Sequence, residues 1–138
     1  WDVRVWNIPE KNISLVDLTT TLNTPLPGGI MLDAYRYGGG IGYRATEKWT
    51  KENSSVLTSE GKTRVDADGS NARWCIVEGE SALPEGRSGI LFLSHPANRK
   101  HPEPMRVWDW QLRVMPDLAG RVPARKPRVR RRRSNSCA

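Results

Sequence analysis

His95 and His101 each stand directly before a proline, with Asn98 between them. Imidazole is the side chain that gives and takes a proton near neutral pH. Pro96 and Pro102 stiffen the backbone and hold the residues before them off helical geometry. The run Ile90-Leu91-Phe92-Leu93 comes just before, so the loop should leave the end of a strand, where a rigid scaffold can present binding groups. His95 is the expected general acid, with Glu47 or Glu60 as the base. Glu60 follows Thr58 and Ser59 and precedes Gly61 and Lys62, so a plain turn carboxylate is the competing reading. Arg44 and Glu47 offer a planar fork of donors and a two-oxygen acceptor, groups that suit the hydroxyls of a sugar; an exposed ion pair is the bland alternative. Arg73, Asn98 and His101 complete the expected binding set. Trp49, in a polar stretch, is the expected stacking face, whereas Trp74 reads as core. This mixture of donors, acceptors and one aromatic face suits a polyol.

Other chemistries have weaker support. Residues 40–45, GIGYRA, fit the outline of a dinucleotide-binding turn, but the polar stretch after them is not an amphipathic helix. A glycine-permitted bend is the favoured reading there. Two histidines without a ligand-spaced cluster give no metal site, and no cofactor is expected. Cys75 lies in the apolar run Trp74-Cys75-Ile76-Val77 and reads as a buried, inert thiol. With Cys137 far away, there is neither a zinc motif nor a disulfide framework.

Short strands must position these groups. Asp2-Val3-Arg4-Val5-Trp6 alternates as a half-buried strand does. Further strands are expected over residues 13–22, 30–37, 41–45, 72–77 and 90–93, and from Met105. A hairpin is expected with residues 56–59 and 63–65 as its arms. Turn signals separate them: PLPGG at 25–29, DADGSN at 66–71 and PEGRSG at 84–89. No segment holds a helical period. The expected fold is all-β, an antiparallel β-sandwich.

The chain has 138 residues, enough for one domain without disulfide staples. Its formal net charge of +7 is misleading. Seven basic residues fall between Arg125 and Arg133, and residues 1–124 carry 15 basic and 15 acidic side chains. The basic character therefore belongs to the C-terminal stretch, which is rich in Arg and Pro and is expected to be disordered. It could attract nucleic acid through counterion release, but it has no interleaved aromatics to stack on bases, so nucleic acid is not the expected partner. No apolar run reaches the roughly 18 residues of a membrane helix. The start is neither a signal peptide nor an initiator Met, so localisation is not legible, and nor is oligomeric state.

YRYGGGIGYRA at 35–45, LTSEGK at 57–62, ARW at 72–74, SGILFLSHPAN at 88–98 and HPEPMRVW at 101–108 follow one another in an order and spacing that resemble those of another group of sequences. On these pieces the middle of the chain resembles a bacterial family labelled "methane oxygenase PmoA". Residues 89–108 also resemble part of the galactose-mutarotase-like supersandwich. That second resemblance implies a carbohydrate-facing β-sandwich, by analogy of fold alone. Methane oxidation itself is not expected, since the chain has no spanning helix and too few copper ligands. From Asp109 the resemblance stops. Residues 1–108 are therefore expected to be an incomplete family domain, and 109–138 a non-matching tail, as a frameshifted end would be. The combined expectation is a domain that binds or processes carbohydrate, with enzyme and binder both open. A non-catalytic structural module and a basic-tailed nucleic-acid binder are the alternatives.

Overall fold

The structure, a computed structural model, describes residues 1–11, 13–33, 41–108, 113–116 and 120–122. Ten strands lie in these segments: β1 (Asp2–Ile8), β2 (Ile13–Thr19), β3 (Ile30–Leu32), β4 (Tyr43–Arg44), β5 (Ser54–Thr58), β6 (Trp74–Glu80), β7 (Arg87–Leu93), β8 (Met105–Trp108), β9 (Arg113–Pro116) and β10 (Gly120–Val122). A single 3₁₀ turn, Pro9–Lys11, joins β1 to β2. The described residues contain no α-helix, and none of their helices is long and apolar enough to cross a membrane. The all-β class and the antiparallel pairing expected from sequence are what the structure has.

The chain divides into two compact units, residues 1–32 with 121–138, and residues 33–120. In the first, β1 and β2 form an antiparallel hairpin with Val5 opposite Val16 and Trp6 opposite Leu15; β3 pairs with β10. The second unit has two three-stranded sheets, in the orders β5-β6-β7 and β4-β9-β8.

The core belongs to the second unit, and strand periodicity builds it. Successive strand side chains point to opposite faces. In β5 that buries Ser54, Val56 and Thr58, in β6 Cys75, Val77 and Gly79, and in β8 Met105 and Val107. Val56, Cys75, Val77, Met105 and Val107 join Ala67 and Ala72 in one cluster, so inner faces of both sheets supply it. Tyr43, Ala45, Trp49 and Phe92 pack against its margin. A buried valine contributes roughly 1.5–3 kcal/mol by leaving water, so this cluster holds the unit together. Burial also pushes the Cys75 thiol up to about 11 and raises the Tyr43 phenol above its ordinary range. Both shifts arise because desolvation disfavours the charged form.

Several local expectations differ from the structure. Residues 63–65 do not return as a strand. Thr58 and Lys62 close a tight turn around Gly61, whose φ is +74°, and only an isolated bridge joins Leu57 to Thr63. β5 pairs with β6 instead, Val56 opposite Val77. The β6–β7 turn closes earlier than the sequence suggests, with Ser81 bonded to Gly86, a glycine at φ +70°. The strand expected to be buried, β7, is the last in its sheet, and Leu91 and Leu93 are 50% and 64% exposed. β9 and β10 fall in the stretch expected to have no strands. The remainder of that stretch, residues 34–37 of the expected third strand and the glycines at 38–40 that end it lie outside the described residues.

Candidate functional site

The antiparallel order β5-β6-β7 brings the end of β5, the start of β6 and the end of β7 to one rim. Three segments meet there. Ser59 and Glu60 follow β5, Arg73 precedes β6, and residues 94–103 follow β7. The backbone stitches them together: Ser59 N–H donates to Trp74 C=O at 3.0 Å, and Ser94 N–H to Arg73 C=O at 2.8 Å. The far end of the long loop is fixed as firmly. Ala72 N–H donates to Glu103 C=O at 3.3 Å, and Met105 N–H to Ser70 C=O at 2.8 Å. Gly69 N–H returns a bond to Met105 C=O, and Asp68 Oδ1 accepts from Val107 N–H at 3.0 Å. The DADGSN turn thus anchors the start of β8.

Within this frame two groups of side chains assemble. Ser59 Oγ accepts from Arg73 N–H at 2.8 Å and donates to Glu60 Oε1 at 3.0 Å. The Arg73 guanidinium then lies 3.6 Å from the same carboxylate, with the two side chains 63% and 52% exposed. A pair that open to water is worth less than about 1 kcal/mol, so a ligand could take either partner at little cost.

The second group surrounds a buried carboxylate. Glu103 is 6% exposed. Its Oε1 accepts from Asn98 Nδ2 at 2.6 Å and its Oε2 from Ser94 Oγ. Ser94 Oγ also lies 2.8 Å from His101 Nδ1. His95 Nδ1 accepts from Ala97 N–H at 3.1 Å. Asn98 N–H donates to His95 C=O, and His101 N–H to Asn98 C=O, so two successive turns set the spacing of the imidazoles.

Of the residues singled out from sequence, Glu60, Arg73, His95, Asn98 and His101 share this rim. Trp49 does not. Its Nε1 donates to Glu80 C=O at 2.8 Å, at the other end of β6. Six residue steps of strand separate Trp74 from Glu80, about 20 Å. One indole face is spent on Gly79, where an added Cβ would come within 2.5 Å of the ring. Arg44 stands in β4 opposite Arg113, and Glu47 is exposed in the turn that follows; no described contact links either to the rim. That turn is not followed by a helix, so the dinucleotide outline at 40–45 has no βαβ unit around it.

Sequence reasoning missed Ser94 and Glu103, which hold the histidine loop. The signal available was slight: a serine at a strand end, and a glutamate flanked by Pro102 and Pro104. It also placed Trp74 in the core. Cys75 points inward, so Trp74 points outward, opposite the exposed Leu93. A shallow polar depression lined by Asp2, Arg4, Asp17 and Thr19 lies on the β1–β2 hairpin. It has no imidazole and no buried carboxylate, so the rim is the stronger candidate. Among the described residues no group of three His, Cys, Asp or Glu side chains could hold a metal ion.

Fold and rim together describe an all-β protein with a candidate polar site carried on loops. Residues 1–129 match the family described as "Family of unknown function (DUF6807)", and the chain belongs to that family. No curated protein matches it. No solved structure matches it. The family match corrects the resemblance drawn from sequence. Every motif that suggested the PmoA-labelled family lies inside residues 1–129, and the family shown there is one of unknown function; neither a PmoA family nor a galactose-mutarotase family is shown. The match also runs past Trp108 through β9 and β10, so family-like sequence does not stop at Asp109.

Proposed function

We propose that this domain binds a hydroxyl-rich ligand, a saccharide, at the rim made by Glu60, Arg73, His95 and His101. The observation that supports this reading is the convergence of three separate segments on one rim, with a buried network holding the His101 imidazole and an exposed Arg–Glu pair on the same rim. A sugar hydroxyl both donates and accepts. Guanidinium, carboxylate and imidazole groups carried on one rim match that dual character, and Trp74, on the outward face at the start of β6, would offer an aromatic surface to a sugar ring.

The test is a glycan array probed with the full chain, followed by affinity and melting measurements on Arg73→Ala, His95→Ala and Arg44→Ala. Loss of affinity in the first two, with melting unchanged and Arg44→Ala neutral, supports the rim. Absence of binding to any glycan, or equal affinity in all three variants, overturns the reading.

A further inference from the structure

The two histidines are held in different ways, and the difference fixes which nitrogen of each carries a proton. A carboxylate only accepts hydrogen bonds, and a serine hydroxyl has one proton to give. Ser94 Oγ touches both Glu103 Oε2 and His101 Nδ1. With Glu103 ionised, and already accepting from Asn98 Nδ2, the serine proton goes to the carboxylate. Ser94 must then accept from His101, which puts a proton on Nδ1 and leaves the lone pair of neutral His101 on Nε2. His95 is the reverse case. Its Nδ1 accepts from the Ala97 backbone N–H, so neutral His95 carries its proton on Nε2.

We infer that the 94–103 loop is a preset acceptor–donor pair, with His101 Nε2 as the acceptor and His95 Nε2–H as the donor, set by the Glu103–Ser94 relay and the Ala97 N–H respectively. Between them the two nitrogens offer one acceptor and one donor, the two functions that a hydroxyl engages. It also reassigns the roles expected from sequence. His95 so held gives a hydrogen bond rather than a proton, because its second nitrogen is occupied as an acceptor. His101 is the ring able to take a proton: a ligand O–H that ionised would leave its electron pair on oxygen and its proton on Nε2. The resulting imidazolium would be opposed by the Glu103 carboxylate through Ser94. Use of the pair by a saccharide rests on the reading above; the tautomers themselves do not.

The experiment is a long-range ¹⁵N–¹H correlation of the imidazoles in the full ¹⁵N-labelled chain, at about pH 8.5, above the ordinary imidazole range. The chain has only two histidines, so His95→Gln assigns both rings. The expected result is Nδ1–H for His101 and Nε2–H for His95. Ser94→Ala and Glu103→Gln should each move His101 to Nε2–H, the tautomer a free imidazole prefers, while His95 stays as it was. The same tautomer in both rings of the unmodified chain, a measurement that needs no variant, overturns the inference. So does a His101 ring indifferent to both substitutions in chains whose backbone spectra remain folded. Addition of D-glucose, D-galactose and D-xylose then separates the two claims. Opposite tautomers with neither ring shifted by any sugar sustain the pair and count against the saccharide reading. Identical tautomers with sugar-induced shifts do the opposite.

Discussion

The β1–β2 and β6–β7 hairpins are each built from two seven-residue antiparallel strands. In the first, alternation leads to no burial: Val3, Val5 and Val16 are 55%, 68% and 52% exposed. In the second, Cys75 and Val77 of β6 are fully buried against Val56 of β5 and Met105 and Val107 of β8. Periodicity makes both pairs into strands, but only the one whose alternate side chains meet a second layer becomes a scaffold. The histidine loop, the Arg73–Glu60 pair and the buried Glu103 all lie at the rim of the sheet that this core anchors. A site needs side chains held to fractions of an ångström, and an unpacked hairpin cannot provide that.

The packed hairpin is most sensitive at Val77, which is fully buried. Val77→Asp places a charge with no partner in the core, a cost of several kcal/mol, and should abolish the cooperative denaturant transition. Next is Gly79→Ala. Its new methyl would meet the Trp49 ring, and overpacking of this kind costs about 1–3 kcal/mol. A lowered urea midpoint with altered Trp49 fluorescence is the expected result. A pH effect follows from Cys75. Its folded pKa is raised from 9.0 to about 11. The contribution is therefore complete below pH 9 and is lost as pH rises from about 9 towards 11, because the unfolded thiol ionises first. Urea midpoints across that range should fall in the native chain and fall less in Cys75→Ala. The smallest effect is expected in the other hairpin. Val5→Asp, on an exposed face, should change stability by no more than about 0.5 kcal/mol; a loss as large as that of Val77→Asp would show that the two hairpins do not differ as described.

The legible part of the fold was what alternation encodes. β1, β2, β6 and β8 were readable because their residues alternate or cluster over four or more positions. β9 and β10 were not, because Arg113, Pro116 and Arg121 give no apolar period; pairing with β8 and β4, or with β3, makes them strands. The site was half legible. Proline-flanked histidines stand out as residue types, and His95, Asn98 and His101 do share a loop. Trp49 and Arg73 were grouped because both lie near strand ends, but sequence does not say which end. β6 runs between them, and Trp49 packs at the Glu80 end. Glu103 was invisible for a different reason: a lone glutamate between prolines reads as surface, and its burial depends on Ser94 and Asn98 reaching it through the fold.

The claim that the β5-β6-β7 rim binds a saccharide is tested most directly by a backbone amide shift map. The chain would be titrated with a glycan retained on the array. Shifts are expected at residues 59–60, 73–74 and 94–103, with Trp49, Asn53 and Glu80 at the opposite end unmoved. Shifts centred on that opposite end, or on the β1–β2 hairpin, would contradict it.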